Sequence, residues 1–222
     1  MRTTKRDIFA LILNIFLIIF ECRGFFINSR IQGWGCLIFY TQLSNLILLI
    51  SAIIYSIFLI VRIFANVKCP KWIDRFKFAG TTSVTITFLV VIFILSGYTL
   101  EGLKANLFDI LSIYHHNICP ILGIITFIFF EKHDLSKVKD VFIALIFTFL
   151  YGGVAIFLNA IGFIRGPYFF LLVREQPIIL SIFWFILIYA MAFGIGAGLR
   201  VLNKKCSVYK KLYDNQKVDI AK

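Results

Sequence analysis

Two short polar runs interrupt apolar sequence, and both carry side chains able to move a proton or attack a carbonyl. The first is YTQLSN, where Thr41, Ser44 and Asn45 stand three and four residues apart. On a helix these three share one stripe, while Gln42 stands to the side. The second is SIYHHNICP, with Ser112, His115, His116, Cys119 and Pro120. A hydroxyl within hydrogen-bond reach of an imidazole is the core of a nucleophilic pair, the imidazole taking the proton as the oxygen attacks. Thr41 is the expected nucleophile, His116 the expected base and His115 the second candidate. Ser44 or Asn45 would supply an oxyanion donor. Neighbouring helical residues diverge by about 100°, so only one of the two histidines can face a given site. Ser112 lies one turn before His116, and Pro120 withdraws the hydrogen bond to the His116 carbonyl, loosening that turn. Asn159, further along, is the candidate for holding the second imidazole nitrogen.

Other chemistries fit these residues less well. Zinc needs three or four converging ligands, and His115, His116 and Cys119 cannot all converge from one helix, so no metal and no other cofactor is expected. A proton or ion path wants acidic partners at depth, whereas Glu21, Asp109 and Glu131 fall near the expected span ends. The same stripe also serves as interhelical glue, with Ser and Thr bonding carbonyls of their own helix and Asn bridging to a neighbour. Thr81, Thr82, Ser83 and Thr85 are expected to bond carbonyls one turn back. Gly194, Gly196 and Gly198 are expected to permit close helix contact, and with no preceding strand they form no phosphate loop.

The elements that position these groups are set by the solvent. Of the 222 residues 60% are hydrophobic, 26 are Phe and only 15% are charged, against about a quarter in soluble domains. The mean hydropathy is +0.92. Apolar windows near 8–27, 37–61, 79–99, 107–130, 140–161 and 178–201 each approach the roughly 20 residues that cross about 30 Å of hydrocarbon. The fold expected is all-α: six transmembrane helices in one bundle, a single transmembrane domain over 1–222, and a polar tail over 203–222. The first window follows Arg2, Lys5 and Arg6 as a signal peptide would, but no small-residue cleavage site follows Phe20, so it is read as a retained helix.

Eighteen of the 23 Lys and Arg residues fall before the first window, in the second and fourth loops and from Arg200 onward. That bias predicts both termini in the cytoplasm, with the protein multi-pass in the cell membrane. The net charge of +12 is spread among loops, which suits anionic headgroups and excludes a nucleic-acid face. The loop KCPKWIDRFKF, basic and aromatic, suits a lipid interface. The five Cys form no C-x-x-C pair, and only Cys22 and Cys36 are placed to meet outside the bilayer.

Thr41-x-x-Ser44-Asn45, with His116-x-x-x-Pro120 and the following ILGIITFIFFE ending at Glu131, resembles bacterial six-helix integral membrane proteins. These are distantly similar to the androgen-induced and androgen-dependent transmembrane hydrolases of animals. The resemblance runs over roughly residues 8 to 200. It implies an intramembrane hydrolase of lipid esters, of the type joining fatty acids to hydroxy fatty acids, with Thr41 as nucleophile and His116 as base. The animal spacing to Pro would select His115 instead. The Tyr-Pro-Phe that precedes the last span in the animal enzymes is here Gly166-Pro167-Tyr168-Phe169-Phe170, so the outer lip of the site is expected to differ. The alternative is a non-enzymatic membrane protein, either a small-solute transporter or a lipid-binding scaffold. The expected partner is a membrane lipid or lipid-like ester, with no nucleic acid.

Overall fold

The computed structural model describes residues 5–65, 67–97 and 99–220, with side chains described up to residue 206. Helix α1 (Lys5–Gln32) runs through a tight turn at Gly33–Ile38 into α2 (Tyr40–Ala65). Next come α3 (Lys71–Val90), prolonged by a wide π turn at Val91–Leu95, and the short α4 (Leu100–Phe108). The fourth span is a π turn (Ile113–Ile118), α5 (Cys119–Ile125) and a second π turn (Thr126–Phe130). Helices α6 (Lys139–Ala160) and α7 (Ile178–Ile220) complete the chain. Among the described residues six segments are long and apolar enough to cross a bilayer, so this is a multi-pass helical membrane protein.

Several boundaries depart from expectation, each for a physical reason. Glu21 does not end the first span: α1 reads on to Gln32 because that carboxylate is fully buried against protein while Arg23 stays exposed. The third span begins at Lys71 and not near 79, since Asp74 and Lys77 are buried with partners inside the bundle and do not break the helix. Most of the expected long basic loop is therefore helical. The fourth window divides, because Thr99 caps a separate α4 by accepting from the Gly102 amide at 3.0 Å, and the chain turns before restarting at Ile113. Pro120 has no N–H, and the π turn lies immediately before it, as the missing hydrogen bond requires. Helix α7 continues through the stretch expected as a polar tail, to Ile220.

Helix α3 is the hub. It packs against α2, α5, α6 and α7, and is the most buried span. Gly80 makes this possible on one side: a Cβ there would sit 3.0 Å from the Leu48 Cα, so the α2 and α3 backbones touch. Ser44 Oγ and Thr87 Oγ1, 2.9 Å apart, tie the same two helices nearer their other ends. Thr85 donates to the Thr81 carbonyl as expected, but the Thr81, Thr82 and Ser83 hydroxyls have no hydrogen-bond partner. Of the three α7 glycines only Gly196 meets a neighbour, with Val141 Cγ1 3.0 Å from where its Cβ would be.

Helix α1 buries one seam, at residues 7, 10, 14, 17, 21, 24 and 28, the alternation of threes and fours that a helix turns toward a packed partner. Its polar members are Asp7, Asn14, Glu21 and Asn28, one every seventh residue and about 10 Å apart along the axis. Phe9, Phe16 and Phe26 point the other way, to the lipid side.

Leucine at Gly196 should force α7 away from α6 and lower stability by about 1–3 kcal/mol. Leucine at Gly194, which faces open space, should leave the melting temperature in detergent unchanged.

Candidate functional site

The Thr41 hydroxyl opens into a narrow cleft of about 70 Å³ between α2, α3, α6 and α7. Over its first three turns α7 packs loosely: Ile178, Ile179, Ile182 and Phe183 are exposed, Trp184 and Ile188 meet the core half-buried, and the helix is first fully buried at Ala192. Its walls are mainly apolar and aromatic, among them Ile86, Val90, Phe170 and Trp184, with isolated hydroxyls at Thr41, Thr148 and Ser181. Gly152 gives Tyr189 room to reach the cleft, since any Cβ at 152 would collide with the phenol oxygen.

The stretch that departs from the animal pattern delivers the polar partner. Tyr168 OH lies 3.4 Å from Thr41 Oγ1, and the Thr41 amide points at the same oxygen at 3.4 Å. Burial pushes the Tyr168 phenol above its ordinary value, so it stays protonated and acts as a neutral donor or acceptor. Phe170 stacks on its ring at 5.2 Å.

The two histidines diverge as expected, and the structure does not join Thr41 to either. His116 points to α4, where its Nδ1 meets the Asn106 carbonyl at 2.7 Å. His115 is the fully buried one. Its Nδ1 lies 2.8 Å from Gln42 Oε1 and its Nε2 3.3 Å from Glu21 Oε2. His115 nonetheless adjoins the Thr41 turn, because Asn45 Nδ2 donates both to the Thr41 carbonyl at 2.7 Å and to the His115 carbonyl at 3.1 Å. Ser44 Oγ donates to the Thr41 carbonyl at 2.9 Å, so Ser44 and Asn45 shore up the first turn of α2 and their donors do not face the cleft. Ser112 offers its carbonyl to the His116 amide. Asn159 meets no imidazole: it donates to the Ile164 and Arg165 carbonyls, at 3.3 and 2.6 Å, and braces the loop that carries Tyr168. All five cysteines are free, and no metal-binding cluster occurs among the described residues.

A second polar cluster was missed altogether in the sequence reading. Near the end of the bundle where α1 begins, Glu131 Oε1 accepts from Asn14 Nδ2 at 2.7 Å and lies 3.4 Å from Lys77 Nζ. Lys77 in turn donates to Asn14 Oδ1 at 2.7 Å. Glu131 Oε2 meets His133 Nε2 at 2.9 Å, and His133 Nδ1 meets Asp74 Oδ1 at 2.8 Å. The His133 ring stacks on Phe127 at 4.7 Å. Two further pairs extend it to neighbouring helices, Arg62 of α2 with Asp7 of α1 at 3.4 Å and Arg75 of α3 with Asp140 of α6 at 2.8 Å. Glu131 thus lies just past a span yet is wholly enclosed, and Glu21 lies well within one; acidic groups at depth are present after all. The signal that could have found them is the seventh-residue spacing of Asp7, Asn14, Glu21 and Asn28.

No protein-family model, curated protein or solved structure matches the chain. The fold and the geometry above define, over the described residues, a six-span helical membrane protein with an apolar cleft and a buried polar seam.

The cluster sets a pH window for stability. Burial disfavours a charged His133, but its bonds to Asp74 and Glu131 outweigh that and raise it above the ordinary 6.5. Burial likewise pushes the Glu131 carboxyl up, but Lys77, His133 and Asn14 outweigh it and hold Glu131 below the ordinary 4.5. The His133 contribution is complete below 6.5 and is lost as pH rises through its raised value. The Glu131 contribution is complete above 4.5 and is lost as pH falls through its lowered value. Melting temperature against pH should therefore hold a plateau between these limits and fall on both sides. His133→Gln should flatten the alkaline limb and also shrink the acid one, since His133 is among the groups that hold Glu131 down, with Lys77 and Asn14 keeping the remainder.

Proposed function

We propose that the protein binds a lipid-like amphiphile of the cell membrane, the chain lying in the cleft between α2, α3, α6 and α7 and the polar end at Thr41 and Tyr168. The observation that carries this reading is the cleft itself. It is apolar along its walls, it carries a hydroxyl pair at one end, and its α7 wall is only half-buried. In lipid such a wall admits a chain sideways, and a hydroxyl pair offers one donor and one acceptor to an ester or hydroxyl headgroup. The narrowness favours one slim chain over a bulky two-chain lipid, with α7 yielding as it enters.

Hydrolysis of a lipid ester is the second reading, favoured by the Asn45 bridge that fastens the His115 turn to the Thr41 turn. Thr41 Oγ1 would attack the ester carbonyl, an imidazole would take its proton and pass it to the departing alkoxide, and water would then release the acyl group from the threonine. His115 is the imidazole nearer in the fold to the Thr41 turn. To act, it must exchange its Gln42 bond for the Thr41 hydroxyl.

A photoreactive single-chain fatty ester in vesicles tests binding. Labelling should map to α7 between Ser181 and Tyr189, and Gly152→Trp, which fills the cleft, should abolish it. Labelling that persists in Gly152→Trp would reject the cleft as the binding place. Thr41→Ala should weaken labelling a few-fold if the hydroxyl only binds. If it is the nucleophile, Thr41→Ala should abolish ester turnover while labelling by the uncleaved ester survives.

A further inference from the structure

Among the described residues Glu21 stands apart from the other buried carboxylates. Asp7, Asp140 and Glu131 each face an Arg or Lys, and Asp74 faces a histidine that also bonds Glu131. Glu21 has no Arg or Lys in contact: its Oε2 lies 3.3 Å from His115 Nε2, which also faces the Glu21 backbone carbonyl at 3.5 Å. The ring that meets this carboxylate is therefore a group that can itself gain or lose a proton. Both side chains are completely buried, in the middle of α1 and beside the π turn of the fourth span.

The surroundings of the pair are built for the ring. Gly24, one turn beyond Glu21, lies under it, and any Cβ there would collide with His115 Nε2. The Phe25 ring packs at 4.6 Å. From α2, Gln42 Oε1 accepts from Nδ1, which fixes that proton and turns Nε2 toward Glu21. From α5 the Cys119 thiol lies beside the carboxylate, and from α3 the Lys77 ammonium acts on it from the next polar position of the seam, where it is held by Asn14 and Glu131. Tyr114 and His116 share the turn with His115, and His116 faces away to Asn106.

Proton accounting follows. With Nδ1–H committed to Gln42, one proton remains to be placed between Nε2 and Oε2. On oxygen it gives a neutral acid and a neutral imidazole; on nitrogen it gives a carboxylate and an imidazolium. Passing it across breaks one bond to hydrogen, makes another and leaves the pair neutral. Two protons leave a net cation and none leaves a net anion, and either charge is disfavoured in a fully buried site with no cation in direct contact.

We infer that Glu21 and His115 form an intramembrane proton-binding site that holds one proton for the pair, on Oε2 or on Nε2. The site lies on the α1 seam, between the Lys77–Glu131 cluster and the far end of the helix. It shares the first turn of α2 with the cleft, because Gln42 and Thr41 are consecutive residues facing the two. It stands whether or not the cleft binds an amphiphile.

The three histidines of the chain make the test direct. The protein, labelled with ¹⁵N-histidine and held in lipid nanodiscs, is observed by NMR, with His115→Gln assigning the His115 signals. Nε2 of His115 should show a shift between those of bare and protonated nitrogen. In Glu21→Gln it should move to that of a bare acceptor. An Nε2 signal identical in wild type and Glu21→Gln would overturn the inference. Infrared spectra of His115→Gln give an independent reading should Glu21→Gln not fold. Deprived of its partner, Glu21 should keep the proton and show a protonated-carboxyl band, and the absence of that band would equally overturn it.

Discussion

Charge neutrality without water is the constraint on which this structure depends. An unpaired charge in hydrocarbon is too costly to keep, and α1 alone brings Asp7, Asn14 and Glu21 into the interior on one face. Each must be met from another helix. Arg62 of α2 meets Asp7; Lys77 of α3 and Glu131 meet Asn14; His115 of the fourth span meets Glu21; and Asn28 reaches the Leu111 carbonyl at 3.1 Å. The seam therefore fixes both the height and the rotation of α1 against three neighbours. Apolar packing, which tolerates sliding, does not set register in this way.

From this the division of the bundle follows. On one side of α2 and α3 lies the polar seam with α1 and the fourth span; on the other lies the cleft with α6 and α7. The seam side is tightly registered. The cleft side is packed more loosely: α7 meets it through half-buried Trp184, Ile188 and Tyr189 in its first turns and is docked firmly along its later ones through Gly196, Leu199 and Asn203, whose Nδ2 donates to the Glu131 carbonyl at 3.0 Å. A binding place that admits a guest from the bilayer belongs on the side that can yield. Residues 41 and 42 are where the two sides meet.

Much of the fold was legible in the sequence, because a six-fold repetition of about 20 apolar residues has one reading in lipid. The helix ends were less so. Composition treats Asp74, Lys77, Glu21 and Glu131 as interruptions, yet Lys77 meets Glu131, Asp74 meets His133 and Glu21 meets His115 across 54, 59 and 94 positions, and no local pattern announces those pairings. The polar runs at Thr41 and His115 were legible as interior, and so was the divergence of the two histidines. Which histidine would face the Thr41 helix was not, because the π turn before Pro120 alters the rotation per residue from which that was read. Tyr168 as the Thr41 partner could not be read from spacing, since a loop braced by Asn159 delivers it.

The account turns on Lys77 and Glu131 being buried as one neutral unit, and a double-mutant cycle measures that most directly. Lys77→Met and Glu131→Gln should each cost about 3–5 kcal/mol by stranding the partner charges. Together they restore neutrality, so the double variant should be less destabilised than the sum of the two by well over the roughly 0.5 kcal/mol within which independent changes add. Costs that simply add would contradict the account.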